Sequence, residues 1–235
     1  AGKQLELIQQ LEKTGKPVIV VLVNGRPISE PWLQKNIPAI LEAWEPGNLG
    51  GMAVGEILFG EVNPSGKLPL TVARSVGQIQ MIYNHKPSQY FHKYALEKSA
   101  PLYPFGFGLS YTTFDYGTPV LSVTDFDGSS EISIDVDVQN TGSTDGDEVV
   151  QLYIRDDVSS VTRPVKELKG YQRIFIRSGE KKTVQFVITS EALAFYDIDM
   201  NYCVEPGSFT IMTGSSSADE DLKTVKLNVT KRIPL

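Results

Sequence analysis

Closely spaced carboxylates are the side chains of this sequence best suited to proton transfer. Asp156 and Asp157 are neighbours, and Asp197 and Asp199 are separated by one residue. Two carboxyl groups can act as general acid and general base when their surroundings separate their pKa values. Both pairs fall at the ends of predicted strands or in loops, where the sequence gives no reason for perturbed pKa values. We therefore interpret these four residues as structural charge.

A third acidic group is formed by Asp145, Asp147 and Glu148. It coincides with a predicted turn, and we interpret it as solvated charge. Asp125 and Asp127 begin a segment that lacks the repeated oxygen ligands and the distal Glu of a calcium loop. Neither segment predicts a metal site.

Aromatic residues are concentrated between positions 83 and 114. Tyrosine and phenylalanine rings bury much area, and they also stack on the apolar faces of sugars. This segment is therefore either an interdomain core, which we favour, or part of a carbohydrate pocket, for which Tyr83, Asn84 and His85 are the candidate binding residues. The cluster consists of Tyr83, Tyr90, Phe91, Tyr94, Tyr103, Phe105, Phe107, Tyr111 and Phe114.

The two histidines and the single cysteine give little support for metal chemistry. His85 and His92 are seven residues apart, and no carboxylate or cysteine completes a metal shell beside them in the sequence. Each is interpreted as a hydrogen-bonding residue. Cys203 has no second cysteine to pair with, so a cysteine-clustered zinc site and an internal disulfide are excluded. The sequence predicts no metal and no cofactor.

Two glycine-containing segments resemble nucleotide or nucleophile motifs only in part. The glycines Gly60 and Gly66 enclose five residues, and Leu68 stands where a phosphate loop needs Ser or Thr. We interpret this segment as a turn between a helix and the next extended segment. The segment from Gly106 to Ser110 has neither the third glycine of a dinucleotide fingerprint nor the strand and helix that flank a nucleophile elbow.

Length and charge limit the class of protein. A chain of 235 residues predicts one or two domains. Lys and Arg total 22 against 28 Asp and Glu, which gives a formal net charge of -6 and argues against a nucleic-acid partner. The longest apolar run covers six residues, 18–23, and is too short to span a membrane. The N-terminus has no secretory signal pattern.

Two parts of the chain have different hydrophobic periods. The first part predicts a helix over 3–14 with one buried stripe, a parallel strand over 18–23 covered on both faces, a strand over 39–44 and a helix over 52–59. This is half of an α/β sheet, so the N-terminal part is expected to be truncated. After about Asp115, alternating segments predict an antiparallel β-sandwich of six or seven strands, at 131–138, 149–154, 171–176, 183–188, 208–213 and 222–229.

Six segments resemble the C-terminal part of glycoside hydrolase family 3 β-glucosidases. Four lie in the first part: KPVIVVLVNGRP at 16–27, ILEAWEPG at 40–47, LFGEVNPSGKLP at 58–69 and PLYPFGFGLSYTTF at 101–114. The other two, RPVKELKG at 163–170 and SGEKKT at 178–183, are similar to the fibronectin type III-like domain that ends these enzymes. The fold class implied is an incomplete α/β sandwich layer followed by that β-sandwich. The domains predicted are 1–75, a connecting segment 76–114, and 115–235.

The resemblance implies a retaining parent enzyme that hydrolyses terminal β-glucosides, or β-xylosides as an alternative. The family's barrel with its aspartate nucleophile, and the loop with its glutamate acid/base, are missing from this sequence. Glu6, Glu12 and Glu42 do not match the acid/base motif, so no catalytic residue is assigned. The chain is expected to complete the α/β layer, to support one wall of the sugar pocket and to clamp the enzyme with the β domain.

The sequence leaves two other roles open for this chain. The chain is alternatively a carbohydrate-binding or interaction module, or a catalytically dead homologue kept for regulation. The first alternative needs exposed aromatic side chains on the sandwich, whereas we expect core packing for most of its aromatic residues. Analogy with the family places the chain in the periplasm or outside the cell. An incomplete sheet predicts association, for example as a homo-oligomer, or a rearranged N-terminal half.

Overall fold

A computed structural model describes residues 2–78, 80–87 and 94–235. Tyr90, Phe91 and His92 of the sequence predictions lie outside the described residues. The chain forms two compact units. The first contains residues 1–62, 72–80 and 94–103, and the second contains 63–71, 81–93 and 104–235.

The first unit is a small α/β arrangement around two parallel strands. Its elements are α1 (Gln4–Glu12), β1 (Ile19–Val23), α2 (Pro31–Asn36), β2 (Ala39–Trp44) and α3 (Gly50–Leu58). β1 and β2 pair in parallel, with Ile19 opposite Ala39. The two predicted strands, their parallel pairing and the two predicted helices are confirmed, whereas the short helix α2 was not predicted.

Burial in the first unit is lower than the sequence predicts. Val20 is the buried residue of β1, while Ile19 and Val23 are 51% and 66% exposed. The prediction that this strand is covered on both faces is therefore wrong for the structure described, because the sheet has two strands and only a small core packs on it. α1 contributes Leu5 and Ile8 to that core, but its Leu7 and Leu11 are exposed.

The second unit is a β-sandwich with 12 strands and one short α-helix in the described residues. The helix is α4 (Ser190–Leu193). The strands are β3 (Phe114–Tyr116), β4 (Val120–Leu121), β5 (Asp125–Phe126), β6 (Ile132–Asn140), β7 (Gly146–Asp156), β8 (Glu167–Ile176), β9 (Lys181–Ile188), β10 (Phe195–Tyr196), β11 (Tyr202–Val204), β12 (Gly207–Gly214), β13 (Leu222–Val229) and β14 (Ile233–Pro234). All six predicted strands are present.

Two main sheets face each other across the core. One has the strand order β5-β13-β12-β7-β8, and the other is centred on β6, with β3 and β4 along one edge and β9 along the other. All pairings are antiparallel except that of β13 with β5. β10, β11 and β14 form a separate small sheet. The alternating apolar residues of β6 are fully buried, which confirms the half-buried strands read from the period of two.

The aromatic side chains of the sandwich divide between core and surface. Core packing is confirmed for Phe126, Tyr153, Phe186, Phe195 and Phe209, which are all buried. It is wrong for four others, which lie on the edge strand β8 or in the small sheet and are exposed: Tyr171, Phe175, Tyr196 and Tyr202. An edge strand or a two-residue strand has fewer neighbours to cover its outer face.

Candidate functional site

The turn that contains Tyr83, Asn84 and His85 lies in the second unit and is tied to the sandwich. The Tyr83 ring stacks on Phe105, with ring centroids 4.3 Å apart, and meets Tyr153 edge-on at 5.8 Å. Its hydroxyl accepts a hydrogen bond from the backbone N–H of Leu168 at 3.2 Å. Both the ring face and the hydroxyl that a sugar would use therefore have partners in the protein.

His85 and Asn84 are half-buried beside Tyr83. The carbonyl oxygen of His85 accepts a hydrogen bond from the backbone N–H of Val165 at 2.9 Å. The imidazole Nδ1 of His85 lies 3.0 Å from the carbonyl oxygen of Lys86. The structure thus brings the three predicted residues together in one turn. The contacts of Tyr83 and His85 position that turn against the start of β8.

The segment from Gly106 to Ser110 is a packing element. Gly106 has φ +79°, and a Cβ there would lie 2.1 Å from Oε1 of Gln151. The Gln151 side-chain amide donates to the carbonyl oxygen of Gly106 at 3.1 Å. A Cβ on Gly108 would lie 2.1 Å from the carbonyl oxygen of Gly66. Both glycines are therefore required by close approach of other groups, and this accounts for the motif without a nucleotide or a nucleophile.

Lys67, which directly follows the glycine segment 60–66, is held in a buried ion pair. Nζ of Lys67 lies 3.2 Å from Oε1 of Glu148 and donates to the carbonyl oxygen of Gly108 at 3.1 Å. The Tyr116 hydroxyl donates to the same Glu148 oxygen at 2.7 Å. Burial, followed by the charge of Glu148, raises the pKa of Tyr116 well above its ordinary value. The interpretation of Glu148 as solvated charge is wrong, because its position in β7 places it on the core face with Val150.

Asp197 is a structural carboxylate at the start of a tight loop. It accepts hydrogen bonds from the backbone N–H groups of Asp199 and Asn201 at 2.9 and 2.8 Å, and from the guanidinium of Arg232. The backbone bond from Asn201 is the main cause that lowers the pKa of Asp197 to about 2. The shift was not expected from the sequence, because its main cause is a backbone hydrogen bond that forms only when the loop folds, and because Arg232 is 35 positions away.

Asp156 and Asp157, at the end of β7, have opposite environments. Burial raises the pKa of Asp156 to about 6. Burial would also raise the pKa of Asp157, but hydrogen bonds from Lys226, Thr210 and Ser208 outweigh it and lower the value. The sequence pattern contains no signal of these opposite shifts, since both depend on contacts that form on folding.

Divergent pKa values are typical of an acid/base pair, yet the contacts of Asp157 oppose that role. One of its oxygens accepts from Thr210 at 2.8 Å, and the other accepts from Ser208 at 2.9 Å and from Lys226 at 2.7 Å. A nucleophilic carboxylate needs an oxygen free to attack, and both oxygens of Asp157 are occupied. Asp156 is therefore a half-buried acid without a partner nucleophile at this pair.

Two further properties of the described chain bear on the class of site. No three His, Cys, Asp or Glu side chains within it converge as they would around a metal ion. Its longest helices, α1 and α3, have nine residues each, and none of its helices has the length and apolar character needed to cross a membrane.

The fold defines a two-part protein in which a parallel α/β unit is combined with a fibronectin-like β-sandwich. Residues 1–111 match the glycosyl hydrolase family 3 C-terminal domain, and residues 148–217 match the fibronectin type III-like domain. The chain belongs to glycoside hydrolase family 3 and corresponds to the C-terminal part of its enzymes.

Individual relatives agree with this assignment. The chain is 49% identical over 231 residues to a β-xylosidase of Formosa agariphila, covering 97% of this chain and 32% of the relative. It is 44% identical over 225 residues to a periplasmic β-glucosidase of Salmonella typhimurium, covering 92% of this chain and 29% of that protein. The chain thus spans about a third or less of the length of these relatives.

Solved structures confirm the fold. A β-glucosidase from Erythrobacter marinus superposes with a TM-score of 0.93 at 44% identity, over 98% of this chain and 30% of that one. A β-glucosidase from Listeria innocua in complex with glucose gives a TM-score of 0.90 at 35% identity, over 97% and 33% of the two chains. The predicted fold class and the predicted family are both confirmed.

Proposed function

We propose that this chain is the non-catalytic C-terminal part of a retaining, exo-acting β-glucosidase that removes terminal β-D-glucosyl residues. The observation that carries the proposal is the match to the two C-terminal domains of family 3 together with a span of about a third of the relatives. A retaining glycosidase needs two carboxyl groups about 5 Å apart across the scissile bond. The rest of the parent enzyme supplies both of them.

The role of the chain in the parent is to support the fold and the wall of the sugar pocket. Several large apolar side chains of the first unit are exposed to solvent. They include Ile19, Val23, Leu49, Met52 and Phe59, the last of which is 87% exposed. Parallel sheets are normally covered on both faces. Further strands and helices of the parent would cover this surface, so the parent's remaining α/β portion and its barrel are the proposed partners.

β-Xylosides are the second candidate substrate. The relative with 49% identity is a β-xylosidase, while the similar solved structures are β-glucosidases. The two sugars differ by the hydroxymethyl group at C5, which xylose lacks.

Four smaller proposals complete the account. Tyr83, Asn84 and His85 are candidate substrate-binding residues, supported by their position in one half-buried turn. The domain limits 1–75, 76–114 and 115–235 are proposed from the sequence pattern.

A periplasmic or extracellular location is supported by the relative from Salmonella typhimurium, which is named periplasmic. Association into a homo-oligomer is supported by the exposed apolar side chains of the first unit.

Hydrolysis assays test the proposal. The purified chain is mixed with aryl β-glucoside and aryl β-xyloside, and the β-xylosidase of Formosa agariphila serves as the active control. We expect no turnover by the chain when circular dichroism shows that its β-sandwich is folded. Turnover that is abolished by Asp156→Asn would overturn the proposal, because the chain would then carry its own acid.

A further inference from the structure

An exposed pair of tyrosines lies on the hairpin that β10 and β11 form in the second unit. Tyr196 and Tyr202 are direct cross-strand partners, so their side chains project from the same face of the hairpin. Their ring centroids are 5.1 Å apart, and the rings are tilted by 45°. The two residues are 59% and 37% exposed, whereas the neighbouring cross-strand pair, Phe195 and Cys203, is buried. The hairpin therefore has one buried face and one aromatic face in solvent.

The loop at the tip of the hairpin extends the exposed apolar surface. Ile198 and Met200 are 71% and 74% exposed. Met200 has φ +64°, a left-handed conformation that is uncommon for a residue with a long side chain. Strained backbone of this kind persists where the surrounding structure enforces it, and it is concentrated at binding sites. We call the four side chains of Tyr196, Ile198, Met200 and Tyr202 the tyrosine hairpin.

Hydrogen bonds inside the loop hold the tyrosine hairpin in one shape. The Asp197 carboxylate accepts from the backbone N–H groups of Asp199 and Asn201 at 2.9 and 2.8 Å. It also accepts from the guanidinium of Arg232. The backbone N–H of Met200 donates to the carbonyl oxygen of Asp197 at 3.0 Å. Because the loop is already ordered, a ligand can bind without the entropy cost of ordering it.

The area of the tyrosine hairpin is too small for a stable protein partner. Covering one aromatic side chain completely buries about 150–250 Å². Four side chains of this size or smaller, each already partly buried, therefore offer at most about 600 Å². Each partner in a standard protein interface contributes about 800 Å². A second copy of this chain is thus disfavoured as the occupant, and a smaller ligand fits the surface better.

Charge and ring chemistry favour a neutral sugar as this ligand. Asp197 and Arg232 are paired with each other, and Asp199 adds an exposed acidic residue to the loop. That carboxylate repels an anionic ligand or an anionic membrane surface. Tyrosine rings stack on the apolar C–H faces of sugars, and their hydroxyl groups can bond to sugar hydroxyls. Two adjacent rings offer contacts to neighbouring sugar units of one oligosaccharide.

We propose that the tyrosine hairpin is a binding surface for a neutral β-linked oligosaccharide, with sugar rings stacked on Tyr196 and Tyr202. The β linkage rests on the proposed function of the parent enzyme, whereas the sugar surface rests on the hairpin alone. Failure to bind would leave the supporting role of the chain intact, because that role is tested by hydrolysis and not by this surface.

Nuclear magnetic resonance titration of the full 235-residue chain tests the surface. Cellotetraose and xylotetraose are the β-linked probes, and maltotetraose, which has α linkages, and glycerol are the comparisons. We expect saturable shifts of backbone amides between 195 and 203 with at least one β-linked probe and none with either comparison. Shifts that do not saturate, that lie elsewhere, or that maltotetraose or glycerol reproduces would overturn the proposal.

Substitutions identify the rings that bind. Tyr196→Ala and Tyr202→Ala should each weaken binding about fivefold to tenfold through loss of a stacked ring. Tyr202→Phe keeps the ring and should retain most of the affinity. Tyr171→Ala is the matched control, because Tyr171 is 69% exposed on β8, and its affinity should equal that of the unmodified chain. Unchanged affinity in both hairpin alanine variants, or an equal loss in Tyr171→Ala, would contradict the assignment.

Measurements on the unmodified chain give an answer that does not depend on a variant folding. Saturation of the aromatic protons should transfer to the C–H protons of the bound β-linked probe, and absence of transfer would overturn the stacking. Changes in chain concentration and addition of zwitterionic lipid micelles test two other occupants. If either shifts the amides between 195 and 203 in the absence of sugar, the surface belongs to a second copy or to lipid, and the proposal is overturned.

Discussion

Nζ of Lys67 lies 3.2 Å from Oε1 of Glu148, with the two side chains 11% and 3% exposed. This pair joins the segment 63–71 to strand β7 across 81 positions of sequence. Two charges removed from water are stable only as a hydrogen-bonded pair, and here Tyr116 and the carbonyl oxygen of Gly108 complete the set of partners. The pair therefore fixes a segment with no regular strand of its own onto the sandwich.

Breaking this pair should be costly. Lys67→Met leaves the Glu148 carboxylate buried without its cation, so we expect a loss of about 3 kcal/mol in the free energy of unfolding, measured with urea. Lys3→Met serves as the control, because it breaks an ion pair with Glu6 that is exposed and should cost less than about 1 kcal/mol. Equal losses in the two variants would contradict the importance given to the buried pair.

Gly106 should be intolerant of a side chain. In Gly106→Ala the new Cβ would lie 2.1 Å from Oε1 of Gln151 at a residue with φ +79°. We expect a loss of at least about 2 kcal/mol, from backbone strain together with disruption of the Gln151 hydrogen bonds. Gly179→Ala has a similar φ of +76° with open space around its Cβ, so it measures the strain alone, about 1 kcal/mol. A loss for Gly106→Ala no larger than this control would show that the close approach is unimportant.

Asp156 should make stability fall as the pH rises. Its pKa in the folded chain is about 6, above the ordinary value of 3.8, so between these values the folded state binds more protons than the unfolded state. Stability is therefore lost as the pH rises from about 4 to about 6. Asp156→Asn removes this dependence.

As the pH is raised from 4 to 7.5, the free energy of unfolding of Asp156→Asn should increase by about 1 kcal/mol relative to that of the unmodified chain. This figure allows for the partial exposure of the Asp156 carboxyl group. Asp157→Asn is the matched control and should change in the opposite direction, because the pKa of Asp157 is lowered. Urea unfolding at the two pH values measures both. If the difference in free energy of unfolding between the Asp156 variant and the unmodified chain is the same at pH 4 and at pH 7.5, the burial argument is contradicted.

Tyr83 should contribute to stability through both its ring and its hydroxyl. Tyr83→Phe removes the acceptor for the backbone N–H of Leu168 and should cost about 1 kcal/mol. Tyr83→Ala also removes the stacking on Phe105 and should cost about 2 kcal/mol or more. Thermal unfolding of the three proteins tests this order. Unchanged stability in both variants would favour a ligand-binding role for Tyr83 over a structural one.

The strands of the sandwich could be predicted from sequence because their period of two reflects burial of one face. Glu148 is in phase with Val150 and Leu152 of β7, so its place on the core face was visible, but its partner Lys67 was not, because 81 residues separate them. The raised pKa of Asp156 likewise depends on burial by groups brought together only by folding.

The first unit shows the opposite limit. A continuous apolar run such as that of β1 predicts a strand correctly, but its coverage depends on neighbours that are not encoded in the run itself. Ile19 and Val23 are exposed for this reason. Tyr83, Asn84 and His85 were predicted as a group from an aromatic-rich segment, and the fold does place them together, yet their contacts to Phe105 and Leu168 could not be read from the sequence.

The central claim, that this chain supplies the supporting C-terminal part of a family 3 glycosidase, is tested most directly by a chimera. The corresponding C-terminal third of the β-xylosidase of Formosa agariphila, which is 49% identical, is replaced by this chain. We predict that the chimera hydrolyses aryl β-xyloside, that the truncated relative alone does not, and that this chain alone does not. A folded but inactive chimera, or hydrolysis by this chain alone, would contradict the account.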